Sequence, residues 1–157
     1  MGWSNSVIDS QEKTAPPNGT YAWSNVSTLL VIDDEPTVRQ ICRIALEKAG
    51  CSVLLAEDGP RGLQYLADKG KDIRLMLLDL GMPGMNGRQM LEQARAAGWS
   101  VPVIVFSGYS EREVAREFDG LEISSFLQKP FSSVRLAAEV GEILDPQKNS
   151  SAFQAAS

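Results

Sequence analysis

Ile73-Arg74-Leu75-Met76-Leu77-Leu78-Asp79-Leu80-Gly81-Met82-Pro83-Gly84-Met85-Asn86-Gly87 joins an apolar run to an acid, and the acid to a turn rich in glycine and proline. A strand covered on both faces reads as such a run, because neither face meets water. Asp79 closes it, and the carboxyl end of a parallel strand is where open α/β sheets place their ligand sites. A second apolar strand, Thr28-Leu29-Leu30-Val31-Ile32, also ends in acid, Asp33-Asp34-Glu35. A third, Val103-Ile104-Val105-Phe106, ends in Ser107-Gly108, and a fourth, Ser125-Phe126-Leu127-Gln128, ends in Lys129-Pro130. Four strands thus deliver acid, acid, hydroxyl and amine to one edge. That set suits a divalent cation and a phosphoryl group.

Helical patterns lie between the strands. Pro36 suits a first helical turn, and Val38, Ile41, Cys42, Ala45, Leu46 and Ala49 then form one apolar stripe, stopped by Gly50. Residues 52–57 read as a further strand. Residues 59–69 read as a helix with Leu63 and Leu66 inward, closed by Gly70. Asn86 caps a helix carrying Met90, Leu91 and Ala94 inward, ending near Gly98. Ser110 caps a short helix over 111–119 with Val114, Ala115 and Phe118 inward. The last helix spans about 132–144 and uses Leu136, Val140, Ile143 and Leu144. Strict alternation implies one five-stranded parallel sheet with helices on both faces. The expected order is 2-1-3-4-5, which puts the switch point between the strands ending in Asp33-Asp34 and Asp79.

The chain has 157 residues and a net charge of −5, enough for one ordinary domain and no more. The strong periodicity covers 28–145. Residues 1–27, with Pro16-Pro17-Asn18-Gly19 at their centre, read as a flexible leader or linker, and 146–157 as a disordered tail. No Lys/Arg stripe suggests direct nucleic-acid binding, and no run is long enough for a bilayer span. No secretory signal is evident, so the expected location is the cytoplasm. Cys42 and Cys51 read as reduced, packed thiols. The chain lacks histidine, which excludes histidine-based acid–base catalysis and any catalytic triad.

Three carboxylates at one edge repel: two unit charges about 4 Å apart cost about 4 kcal/mol at an effective dielectric near 20. Protonation of one acid or a bound cation relieves this. Hard oxygen ligands point to Mg²⁺, or Mn²⁺, rather than zinc.

Asp33-Asp34, Asp79 with its Leu-Gly-Met-Pro-Gly-Met-Asn-Gly turn, Ser107-Gly108 and Lys129-Pro130-Phe131 together resemble the receiver domain of two-component response regulators. The resemblance covers 28–145 and implies the flavodoxin-like fold of that family. It implies that Asp79 accepts a phosphoryl group from a phosphohistidine. Asp34, Asp79 and the main-chain carbonyl of Gly81 would ligate Mg²⁺, with Asp33 acting mainly through a bound water. Lys129 would pair with phosphoryl oxygens, and Ser107 would move to hydrogen-bond them. Phe126 occupies the switch aromatic position, Pro130 follows a cis bond that fixes the lysine loop, and Gly108 leaves room beside the phosphoryl group. Gly81 and Tyr109 occupy the positions that flank the attacking water in dephosphorylation.

The resemblance also implies partners: a sensor histidine kinase or a histidine phosphotransfer protein, met by a monomer. Ser107-Gly108-Tyr109-Ser110-Glu111 and Phe126-Leu127-Gln128-Lys129-Pro130-Phe131 look more like receivers at the C-terminal end of hybrid sensor kinases. An acidic pair before an aromatic, common in winged-helix regulators, is missing ahead of Lys129-Pro130. Two other readings stand beside this one. A phosphoaspartate hydrolase of haloacid dehalogenase type would carry Asp-x-Asp on its first strand, where this chain has Asp33-Asp34-Glu35. A pseudo-receiver used only for binding would normally lack an acid or the lysine, and both are present.

Overall fold

The computed structural model describes residues 27–145. The expected leader, apart from residue 27, and the expected tail lie outside them. The chain runs β1 (Thr28–Ile32), α1 (Pro36–Lys48), β2 (Ser52–Ala56), α2 (Gly59–Lys69), a 3₁₀ turn (Gly70–Asp72), β3 (Ile73–Asp79), α3 (Gly87–Ala96), β4 (Val103–Ser107), α4 (Glu111–Glu117), β5 (Ser125–Gln128) and α5 (Ser133–Leu144). All neighbours pair parallel, in the order β2-β1-β3-β4-β5. This is the order expected from the alternation of strand and helix.

Side chains alternate across the sheet, so each strand feeds two cores. Leu30, Ile32, Met76, Leu78, Val103 and Val105 point to one face, where Leu66 of α2, Met90 and Leu91 of α3 and Val114 of α4 cover them. Leu29, Val31, Leu75, Leu77, Ile104 and Phe106 point to the other, under Cys42 and Leu46 of α1 and Leu136 and Val140 of α5. Within β3 only Arg74 is exposed, which is why the run reads as continuous.

The helix ends follow their local chemistry. Asn86 and Ser110 both close capping boxes, with Gln89 and Glu113 as the reciprocating residues. Gly50 takes φ 107° just after α1. Three expectations need correction. Ile41 is 41% exposed, alongside Ile44 at 57%. Each residue turns about 100° round a helix, and α1 fully buries only Cys42 and Leu46, in line with Ala49 at its C-cap. Ala115 is likewise exposed, one step round from buried Val114. Helix α4 also stops at Glu117 rather than Asp119, with Phe118 as its C-cap.

Candidate functional site

Register builds the site. Ile32 stands opposite Leu78, so Asp33 lies level with Asp79 across the β1–β3 boundary. Ser107 stands opposite Gln128, so Gly108 lies level with Lys129. Asp33 is fully buried, Asp79 is 5% exposed and Asp34 faces solvent. One carboxylate oxygen from each lies within 4.8 Å of the others. Lys129 reaches in from the end of β5. Its Nζ is 3.0 Å from Asp33 Oδ2, 3.4 Å from Asp79 Oδ1 and 2.7 Å from Glu35 Oε1.

Asp33 is held firmly. Asp33 Oδ1 accepts from the Glu35 amide at 2.9 Å, and the Asp33 carbonyl accepts from Arg39 Nη1 at 2.7 Å. Asp79 Oδ1 accepts a long bond from the Gly81 amide at 3.4 Å. Asp33 Oδ2 has Lys129 as a charge partner, but no donor meets it with hydrogen-bond alignment. A fully buried carboxylate oxygen left in that state is costly.

Burial sets the electrostatics. Asp79 is pushed up to about 6, first by burial and then by the Asp33 charge, against the pull of Lys129. Asp33 is also raised, by burial above all, although the Glu35 amide and Lys129 oppose this. Burial alone would lower Lys129, but Glu35, Asp33 and Asp79 together outweigh it and raise the ammonium above its usual range. The repulsion expected of three acids is therefore concentrated in the buried pair, and the lysine only partly relieves it.

The donor set fits Mg²⁺ or Mn²⁺. It consists of carboxylate oxygens, with one buried oxygen lacking an aligned donor, and no histidine or thiolate is near enough to favour a softer metal. Cys42 and Cys51 are free and buried, with thiols pushed up to about 12 and 11 chiefly by burial. That matches the reading of both as reduced, packed thiols.

The turn after Asp79 folds back tightly. Gly84 takes φ 75°, a left-handed conformation that glycine tolerates. A Cβ on Gly87 would meet the Asp79 carbonyl oxygen at 2.5 Å, so α3 begins directly against the backbone of Asp79. Ser107 is 2% exposed, and its Oγ accepts from the Tyr109 amide at 2.9 Å. Ser110, not Ser107, caps α4. The Ser107 carbonyl accepts from the Lys129 amide at 2.8 Å, which ties the ends of β4 and β5 together.

Gly81 and Gly108 are exposed, with open space where a Cβ would stand. Tyr109 is 57% exposed. Phe126 is half-buried and packs against the core on the α2–α4 face. The Lys129–Pro130 bond is cis.

The structure thus brings Asp33, Asp34, Asp79 and Lys129 together and sets Ser107 and Gly81 beside them. It adds one residue to which the sequence reading gave no role. Glu35 is the nearest partner of Lys129, 94 positions away in the chain. Its place in an acidic triplet was visible, but its direction was not.

The sequence matches the family described as response regulator receiver domain over residues 29–141. The sensor kinase CckA of Brucella abortus is 33% identical over 124 residues, taking in 79% of this chain and 13% of the kinase. The response regulator MprA of Mycobacterium sp. (strain KMS) is 32% identical over 118 residues, taking in 74% of this chain and 50% of the regulator. The chain therefore spans half or less of the length of these two relatives. Among solved structures, the receiver domain of NtrX from Brucella abortus superposes with a TM-score of 0.68 at 27% identity, covering 75% of this chain and 98% of that one. A Clostridium thermocellum response regulator receiver domain protein gives 0.69 at 25% identity, covering 78% and 97%. Sequence and fold agree: the chain belongs to the response regulator receiver domain family of two-component signalling.

Proposed function

We propose that Asp79 accepts a phosphoryl group from a phosphohistidine on a partner protein, and that the modified domain changes its protein contacts. The observation that carries this reading is the convergence of Asp79, Asp33 and Lys129 in one crevice, with Lys129 Nζ 3.4 Å from Asp79 Oδ1. An Asp79 oxygen attacks phosphorus in line as the P–N bond to the donor imidazole breaks and its electron pair returns to nitrogen. Lys129 offsets charge on the equatorial oxygens as a compact point charge. Ser107, now bonded to the Tyr109 amide, would turn to donate to a phosphoryl oxygen. Phe126, on β5 beside it, would follow that movement and alter the outer surface.

Asp34, Asp79 and the Gly81 carbonyl would hold Mg²⁺, with Asp33 acting through water. When bound, the ion supplies positive charge to the transferring group. The step needs no histidine on this chain, in keeping with its composition. The donor is a sensor histidine kinase or a histidine phosphotransfer protein, encountered in the cytoplasm by a monomeric domain. The net charge of −5 favours signal output through protein contact rather than nucleic acid. Similarity to a sensor kinase supports a finer reading, a receiver from a hybrid kinase. The test is transfer from a phosphorylated histidine phosphotransfer protein to wild type and Asp79→Asn. Label should appear on wild type alone, and labelled variant would defeat the assignment.

A further inference from the structure

Lys129 is already engaged, and its shortest contact is not with Asp79. Glu35 Oε1 lies at 2.7 Å, against 3.0 Å for Asp33 Oδ2 and 3.4 Å for Asp79 Oδ1. The backbone of Glu35 is fixed. Its amide donates to Asp33 Oδ1, and its carbonyl accepts from the Arg39 amide at 3.1 Å. Glu35 occupies the N-cap of α1, yet its side chain makes no capping bond. Instead it crosses from the β1 edge to the β5 edge, with its side chain 58% exposed.

We propose that Glu35 is a competing counter-ion, which holds Lys129 in the unphosphorylated domain and must release it before the ammonium can engage a phosphoryl group on Asp79. This rests on the receiver reading above. An ammonium has three donors, and three carboxylates surround this one. A phosphoryl group brings further anionic oxygens to the same ammonium. Asp33 is buried and held by the Glu35 amide, so it stays. Asp79 carries the phosphorus. Glu35 alone has an exposed arm that can swing into water at small cost. An exposed ion pair is worth a factor of about 1.4 to 5, so its release sets a modest threshold on phosphorylation rather than a block.

The test compares wild type, Glu35→Gln and Glu35→Asp as full chains. Glu35→Gln removes the charge. Glu35→Asp keeps the charge but shortens the arm by one methylene, which withdraws it from Lys129. At saturating Mg²⁺ each protein is titrated calorimetrically with beryllium fluoride, a non-covalent stand-in for the phosphoryl group. Phosphorylation of wild type by phosphoramidate is measured in parallel. Both variants should bind beryllium fluoride about 1.4- to fivefold more tightly than wild type. The Mg²⁺ affinity of Glu35→Asp should match wild type, which a general disturbance of the fold would not leave intact. If only Glu35→Gln binds more tightly, local charge is responsible and the pairing proposal fails. If neither does while wild type is phosphorylated, the proposal fails and the receiver reading stands. If wild type takes up no phosphoryl group, both fall.

Discussion

Asp79→Asn should stabilise the metal-free domain at neutral pH, and the size of the gain follows from burial. Asp79 is 5% exposed, faces Asp33 and is pushed up to about 6 from an ordinary 3.8. Between those values the folded state binds a proton that the unfolded state has already released. This contribution to stability is therefore fully present below pH 3.8 and is lost as pH rises to about 6. At about 1.4 kcal/mol per pH unit, the loss amounts to about 3 kcal/mol. Asparagine is close in shape to the protonated carboxyl and cannot ionise. At pH 7.5 without metal, the variant should gain about 3 kcal/mol over wild type, and most of that gain should vanish near pH 4. Urea melts at both pH values, in chelator, measure this. A variant no more stable at pH 7.5, or equally favoured at both pH values, would refute the penalty that burial, with the Asp33 charge beside it, places on the ionised Asp79.

Other expectations follow from the same geometry. Asp34→Ala should weaken Mg²⁺ binding more than Asp33→Ala, because Asp34 is the proposed direct ligand, and equal losses by calorimetry would contradict that division. Gly87→Ala should cost about 1–3 kcal/mol in a denaturant melt, because the new methyl meets the Asp79 and Leu80 backbone; a change below about 0.5 kcal/mol would show that the turn can give. Tyr109→Ala should speed decay of the phosphorylated domain if the ring shields the phosphoryl group from water. An unchanged decay rate would leave Tyr109, 57% exposed, with a docking role only.

Much of this fold is legible in the sequence, because its strands are apolar runs bracketed by glycine, proline and capping residues. The β3 run is short, apolar but for Arg74 and followed by a Gly/Pro turn, which reads as a covered strand, and in the structure Arg74 alone of it is exposed. The four strand ends announce the site, since parallel topology forces them to one edge. Less legible are matters of a single helical step. Ile41 and Cys42 are neighbours in an apolar stripe, yet only Cys42 meets the core. The uneven burden among the acids was hidden as well. Sequence spacing treats Asp33, Asp34 and Asp79 alike, whereas burial separates the first and third from the second. Glu35 was the least legible of all, because a flexible exposed side chain takes its direction from a lysine that only the folded sheet brings near.

The central claim rests on one atom group, the Asp79 carboxylate. Intact-mass measurement of wild type and Asp79→Asn, each incubated with phosphoramidate with and without Mg²⁺, tests it most directly. The account predicts the mass of one added phosphoryl group on wild type with Mg²⁺, and none on wild type without the ion or on the variant. A phosphorylated Asp79→Asn protein, or a wild type unmodified in the presence of Mg²⁺, would contradict it.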